Sequence, residues 1–426
     1  MRVERIDWDG ADAPRLAARL RSLPPSPADV TGAAERIVER VRTGGDAAIR
    51  EIAAELGEEA PESLRVDPEA VAAAPALVEP EVREALRLAA RNVEQVARAE
   101  LEARLRPATA QLPEGQSVEV REDPVVAAGV YAPGGRAAYP SSALMCCIPA
   151  RVAGVVRIAV ASPPGAGGRP QDAVLAACAI AGVDEVYAVG GAQAIAAFAY
   201  GTETVPRVDV VAGPGNPYVT EAKRIVAGSV GIDGVAGPTE LMAVADGTAD
   251  PGWLALDLCA QAEHGEEGPL IVASPDLALL DRIEELVEEL AGQRPSVTDA
   301  TVALVTTSGL ERALNLADAV APEHLELAFD GADENAARTR MAGCVFVGSG
   351  GAAAFGDYAA GSNHVLPTGG AARFGGPLGP GAFRRRTSVV ALPRGAAAGL
   401  APYVAALARA EGFPVHAESA EARAAG

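Results

Sequence analysis

Twice along this chain a short apolar run gives way to a stretch with helical spacing and then to another apolar run, and this repetition restricts the fold more than any other feature. The first series, from about residue 152, reads "VVRIAVASP", "PQDAVLAACAIAG", "DEVYAVGG", "AQAIAAFAYG" and "VDVVAGPGN". The second begins at "GPLIVASP" and passes through "DLALLDRIEELVEELAG", "TVALVTTS", "GLERALNLADAV" and "GCVFVGSG". Apolar runs alternating with helices predict parallel sheets covered by helices on both faces. Ligands of such sheets sit in the loops after the strands, which is where the glycines of "AVGG" and "AGPGN" fall. A length of 426 residues with 49% hydrophobic content is enough for two such cores.

Outside the two series the pattern changes. Residues 14 to 100 read as mostly helical, and "GAAERIVERVRTGGDAAIREIAAELG" carries apolar residues at helical spacing with a Gly-Gly pair expected to stop the helix. Residues 369 to 381, "GGAARFGGPLGPG", read as a glycine-rich connection to a last helical segment too short to form its own core. The "RRR" at 384 to 386 reads as a solvated basic spot, and Ser308 with Glu311 has the spacing of a capping box.

A formal charge of −21 argues against nucleic acid or an anionic membrane surface as partner, because both require a basic face. The charged start "MRVERIDWDGADAPRL" lacks the apolar centre of a signal peptide, and no stretch reaches the roughly 18 apolar residues of a membrane span. A cytoplasmic protein is the expectation. Five cysteines, Cys146, Cys147, Cys178, Cys259 and Cys344, show no CxxC spacing, so they are expected to be core thiols.

Only four histidines are present, His264, His324, His364 and His416, and one stands beside a carboxylate in "APEHLEL", residues 321 to 327. Glu323 and His324 are two groups able to move protons near neutral pH, and Pro322 before them favours an irregular, non-helical backbone that turns both toward one cavity. In "DLCAQAEHG" a helix ending at Gly265 puts Gln261 and His264 on one face of its last turn. There an imidazole suits a metal ion or simply caps the exposed carbonyls. "FGDYAAGSNHVLP" packs Asp357, Asn363 and His364 into an expected loop, either lining a site or forming an Asx turn. "GPGNPY" has Tyr218 where a GxGxxG fingerprint needs glycine, so it offers backbone N–H groups and Asn216 without being that fingerprint.

Taken in order, "GVYAPGGRAAYPSS", "GGAQAIAAFAYGT", "AGPGNPYVTEAKR", "AQAEHG", "APEHLEL" and "GDYAAGSNHVLPT" resemble histidinol dehydrogenase over about 290 residues, from Tyr131 to His416. The resemblance implies a zinc- and NAD-dependent oxidation of L-histidinol to L-histidine through L-histidinaldehyde, the last step of histidine biosynthesis. It implies zinc ligands Gln261, His264, Asp357 and His416, and the acid/base pair Glu323 and His324. Substrate contacts would fall on Thr239, Gln261, His264, His324, Asp357, His364, Glu411 and His416, and NAD contacts on Tyr131, Gln193 and Asn216. Pro217 removes one backbone donor from the NAD loop.

The fold expected is α/β, with two parallel-sheet, incomplete Rossmann-like domains and small helical segments at both ends. Residues 1–24 would form an N-terminal extension. Residues 25–130 and 241–378 would form a first domain carrying the metal and catalytic groups, and 131–240 a second that binds NAD. Residues 379–426 would be a tail exchanged in a homodimer with shared active sites. A zinc-dependent hydrolase on an α/β scaffold and a two-lobed small-molecule binding protein are the alternatives; each differs in reducing no nicotinamide.

Overall fold

The computed structural model describes residues 1–57, 63–104, 108–134, 138–165 and 167–424. The chain opens with β1 (Arg2–Asp7) and the helices α1 (Ala13–Arg21), α2 (Thr31–Glu55), α3 (Pro68–Ala73) and α4 (Pro80–Arg104). The strands β2 (Ala108–Gln111) and β3 (Ser117–Pro124) follow. The first α/β series is β4 (Ala127–Tyr131), α5 (Pro140–Val152), β5 (Arg157–Ser162), α6 (Asp172–Ala181), β6 (Glu185–Ala188), α7 (Gly191–Tyr200), β7 (Val210–Ala212), α8 (Pro217–Val226) and β8 (Gly231–Ile232). The second is β9 (Leu241–Ala245), α9 (Pro251–Ala262), β10 (Leu270–Ser274), α10 (Leu277–Gly292), β11 (Thr301–Thr306), α11 (Leu310–Val320), β12 (His324–Ala328), α12 (Ala332–Ala336), β13 (Cys344–Val347) and α13 (Ala353–Tyr358). The chain closes with β14 (Arg384–Ala391), α14 (Arg394–Ala410) and α15 (Pro414–Ala424).

Both sheets are parallel, as the repeated apolar runs require. One has the order β6-β5-β4-β7-β8 and the other β1-β11-β10-β9-β12-β13. The inner strands β4, β9, β10 and β12 bury both of their faces. Along β11, Val302 and Leu304 enter the core under α9 and α10, while Ala303 and Val305 enter the one under α1 and α11. Each such valine or leucine contributes about 1.5–3 kcal/mol by leaving water.

Several expectations are corrected. The N-terminal extension is no separate helical piece, because β1 pairs in parallel with β11 over Arg2–Asp7 and completes the edge of the second sheet. α2 and α4 do not join the 241–378 unit. Val38, Val41, Ile49 and Ile52 of α2 pack with α7 and α8 on one face of the β4–β8 sheet, and Leu86 and Val93 of α4 pack with α5 and α6 on the other. Their apolar stripes cover a sheet whose own crossover helices leave its faces incompletely covered. The Gly-Gly pair does interrupt α2 as expected, for Gly45 takes the non-helical φ 55°, ψ −138° that ends one helix and opens the next at a kink, and the Glu203 carboxylate accepts from the next N–H, that of Asp46, at 2.8 Å. α11 is capped at Gly309 with no side-chain bond, so the Ser308–Glu311 capping box does not form.

The tail differs too. β14 runs antiparallel to β3 along its whole length, so only α14 and α15 are left as a separate helical pair. The three arginines lie on that strand: Arg384 donates to the Ala153 and Glu122 carbonyls, and Arg386 pairs with Glu122 at 2.8 Å. The glycine-rich connection is anchored as well, with Leu378 and Phe383 in the core. Cys146, Cys147, Cys178 and Cys259 are buried as expected, while Cys344 is partly so. Burial pushes the Cys178 thiol up to about 12, which leaves it a poor nucleophile. Among the described residues no helix is long and apolar enough to cross a membrane.

Candidate active site

The candidate catalytic residues stand at the amino ends of strands in one sheet, and the candidate coenzyme residues at the carboxyl ends of strands in the other. Asn92 Nδ2 donates to the Ala359 carbonyl at 2.7 Å and Asn363 Nδ2 to the Met145 carbonyl at 2.6 Å, which ties the α13 segment to α4 and α5 across the junction.

Glu323 and His324 are both buried, at 6% and 3% exposure. α11 ends at Ala321 in a left-handed turn (φ 51°, ψ 61°), and His324 is already the first residue of β12, paired with Leu241. The irregular backbone expected around the pair is thus one turn, followed at once by a strand. Glu323 Oε2 accepts from Thr239 Oγ1 at 2.5 Å and from the Glu240 N–H at 2.8 Å. The His324 Nδ1–H donates to the Glu240 carbonyl at 2.9 Å. A carbonyl can only accept, so this bond fixes the tautomer and leaves Nε2 as the working nitrogen. Nε2 is buried without a hydrogen-bond partner, 3.6 Å from Asp357 Oδ1.

Burial raises the Glu323 carboxyl to about 7, against the pull of the His324 imidazole, the Thr239 hydroxyl and the Glu240 N–H. For His324 burial works downward, but the carboxylates of Asp357 and Glu323 outweigh it and raise the ring to about 9. Two residues further along β12, Glu326 Oε1 accepts from the Ala353 N–H at 2.9 Å and holds the start of α13, the helix that carries Asp357. Asp357 therefore sits on a short helix and not in the loop expected from its sequence.

Gln261 is buried in the last turn of α9, and its Nε2 donates to Thr239 Oγ1 at 2.5 Å. The amide is thereby oriented with Oε1, the atom able to ligate a cation, left available. His264 lies just past the helix end and is exposed, and α13 packs against α9. Among the described residues, no three His, Cys, Asp or Glu side chains gather closely enough to hold a metal ion. One imidazole, one carboxylate and one amide oxygen make an incomplete set of N and O donors that fits zinc once a further donor is supplied. His416 is not brought there within the chain: it is exposed on α15 and lies tilted against Phe413, ring centroids 5.4 Å apart. Glu411, at the end of α14, is exposed as well. His364 is half-buried, with Nδ1–H donating to the Asp357 carbonyl at 2.9 Å and Nε2 accepting from Ser142 Oγ at 3.2 Å, and burial lowers its ring.

The candidate coenzyme residues cluster on the carboxyl edge of the first sheet, beside the switch point where the strand order turns from β4 toward β5 on one side and β7 on the other. Tyr131 ends β4 and its hydroxyl accepts from the Gly191 N–H at the start of α7, one turn from buried Gln193. Asn216 is exposed and caps α8, its Oδ1 accepting from the Val219 N–H at 3.1 Å, so its amide nitrogen is the group that can face a ligand. Pro217 is the first residue of that helix, where a missing N–H costs nothing. Gly213 is required by close approach: at φ 123° a Cβ there would lie 2.1 Å from the Tyr131 carbonyl oxygen. Gly135 to Ala137, the turn within "YAPGGRAAYP", lie outside the described residues.

Sequence reasoning missed Ser142, which holds His364, and Glu240, which holds both catalytic groups. Glu240 follows Thr239 in "GPTE" and gave no signal beyond that adjacency.

A family model described as histidinol dehydrogenase matches residues 24–424. The chain is 44% identical to the histidinol dehydrogenase of Rhodospirillum rubrum, over 98% of each chain, and 43% identical to that of Thermobifida fusca, over 99% of this chain and 97% of that one. Its fold superposes on the crystal structure of histidinol dehydrogenase from Elizabethkingia anophelis with a TM-score of 0.89 at 30% identity, covering 99% of this chain and 98% of that one.

Proposed function

The chain belongs to the histidinol dehydrogenase family and is thus an oxidoreductase of histidine biosynthesis, and from that premise we propose how its residues divide the oxidation of L-histidinol to L-histidine. The observation that carries the reading is the buried pair of Glu323 and His324, with the Glu240 carbonyl holding the imidazole Nδ1–H.

Converting an alcohol to a carboxylate removes two hydrides and adds one water. Tyr131, Gln193 and Asn216 would hold NAD, which would supply the hydride acceptor for each step. In the first step His324 Nε2 takes the hydroxyl proton as hydride leaves the carbon, giving L-histidinaldehyde. In the second Glu323 takes a proton from the water that adds to the aldehyde, and His324 takes one from the hydrate as the second hydride departs. The upward pull on the His324 ring comes chiefly from the Asp357 carboxylate, which zinc would take up and so leave Nε2 free to accept a proton, while Glu323, near 7, gains and loses a proton close to neutral pH.

Gln261 Oε1, His264 and Asp357 would hold zinc with His416, and the ion would supply a Lewis-acidic anchor for the amine and imidazole nitrogens of the substrate. Thr239, between Gln261 and Glu323, couples that anchor to the acid/base pair. His416 and Glu411 would come from the partner subunit of a homodimer. In support, α14 and α15 pack mainly on one another, and Tyr403, Leu407, Phe413 and Val415 leave them with an apolar surface that needs a cover. The test is absorbance at 340 nm with L-histidinol and NAD. Two equivalents of NADH per histidinol support the reading, and histidinol turnover without NADH would return the hydrolase alternative.

A further inference from the structure

We propose that Arg21, on the N-terminal helix α1, and Glu240 form the positioning pair that holds Glu323 and His324 in their working arrangement. The inference rests on the acid/base roles given to those two residues above. Glu240 is 3% exposed, and all its polar atoms are committed within the site. Its N–H donates to Glu323 Oε2 at 2.8 Å, and its carbonyl accepts the His324 Nδ1–H at 2.9 Å and the His324 backbone N–H at 3.2 Å. Its carboxylate accepts the Glu323 backbone N–H at 3.3 Å and the Gly369 N–H at 2.7 Å. One residue thus fixes the tautomer of the base, the carboxylate of its partner and the peptide between them.

That arrangement places a second buried carboxylate beside Glu323, and like charges in a low-dielectric interior repel. Arg21 meets the need with a forked contact, Nη1 to Glu240 Oε1 at 2.6 Å and Nη2 to Oε2 at 3.1 Å. The same guanidinium donates to the carbonyls of Val320, at 2.5 Å from Nη2, and Ala321, at 3.2 Å, at the end of α11. It therefore also ties down the left-handed turn that delivers Pro322, Glu323 and His324. A planar five-donor fork can serve a carboxylate and two carbonyls together, and an ammonium cannot. Arg21 lies before residue 24, where the family match begins, so none of the matched motifs includes it.

The experiment compares Arg21→Ala, Arg21→Lys and Glu240→Gln with His324→Asn, in steady-state NADH formation with the metal-loaded enzyme and with thermal unfolding of each. The guanidinium of Arg21 is spent on Glu240 and the end of α11 and is not among the candidate substrate contacts, so Arg21→Ala should lower kcat about 10- to 100-fold, the loss that follows a misplacement near 1 Å, with KM for histidinol nearly unchanged. Arg21→Lys should recover part of the loss. Added guanidinium should recover part of it in Arg21→Ala, because the vacated space is lined by the Glu240 carboxylate and two carbonyls and the Arg21 side chain is 20% exposed to solvent. Wild-type kcat in Arg21→Ala overturns the inference. So does a change in KM alone, or a loss that follows Tm and that neither lysine nor guanidinium recovers. If Arg21→Ala does not fold, Arg21→Lys decides, and full kcat there would refute the need for the fork. An active His324→Asn would remove the premise instead, which keeps the two failures distinct.

Discussion

Replacing Lys223 by Met should cost several kcal/mol of stability and loosen the loop that carries Asn216. Lys223 and Asp233 have 3% and 4% side-chain exposure and form an ion pair beneath that loop. Lys223 Nζ donates to the Gly213 carbonyl at 3.1 Å, and Asp233 Oδ2 accepts the Gly213 N–H at 2.8 Å, so the pair grips Gly213 by both its polar groups. Lys223→Met keeps the stem but leaves a buried carboxylate without its counter-charge, a change worth about 3–5 kcal/mol. At about 2–4 °C per kcal/mol for domains of this size, Tm should fall by roughly 6–20 °C. Asp233→Leu, which strands the ammonium, should cost a similar amount. The double variant buries no charge and orphans only the N–H and C=O of Gly213, about 1–3 kcal/mol each. It should therefore lose far less than the sum of the singles, with a coupling energy of about 4 kcal/mol between the two sites. Thermal unfolding of the four proteins measures this cycle, and NAD titration of the same set reports on the loop. Additive losses, or a Lys223→Met loss below about 1 kcal/mol, would refute the reasoning.

His324→Asn should leave fold and zinc content intact and slow both oxidations about 10²–10⁴-fold, measured as NADH formation from histidinol and from histidinaldehyde. Glu323→Gln should slow the aldehyde step more than the alcohol step, because only the former needs a water deprotonated; equal effects on the two would argue against that division. Glu323 has a folded value of about 7 against 4.5 when unfolded, so the folded chain keeps a proton that the unfolded chain has released between those values. Its contribution to stability must fall as pH rises from 4.5 to about 7, by about 3 kcal/mol in all, and urea titrations at pH 5 and pH 8 should show that dependence reduced in Glu323→Gln. Chelation should abolish activity while leaving a cooperative thermal transition, because cores of this size do not depend on a metal. Mixed Glu323→Gln and His416→Asn subunits, each inactive alone, should regain activity if the tail acts in trans, since one site of a mixed dimer then carries neither lesion.

The sequence by itself determined most of the strands and helices in the two α/β series, because hydrophobic period is a local property that survives without knowledge of partners, but it missed β9 and β12 at the centre of the second sheet. It also singled out Glu323 and His324 as candidates, since a scarce imidazole beside a carboxylate is visible in any arrangement, and it exposed Gly213 and Asn216 as loop residues after a strand. Only the tertiary structure decided that α2 and α4 cover the first sheet, because an apolar stripe states that a face is buried and not what buries it. The same holds for β1 and β14: an edge strand is specified by the pairing partner it finds, here β11 and β3, which lie about 300 and 260 residues away in sequence. The orphaned Nε2 of His324, the raised carboxyl of Glu323 and the Arg21–Glu240 pair likewise depend on atoms brought together from α1, β9 and the end of α11. A proton-transfer group is written in one residue's chemistry, but its tautomer and its charge are set by neighbours that only folding supplies.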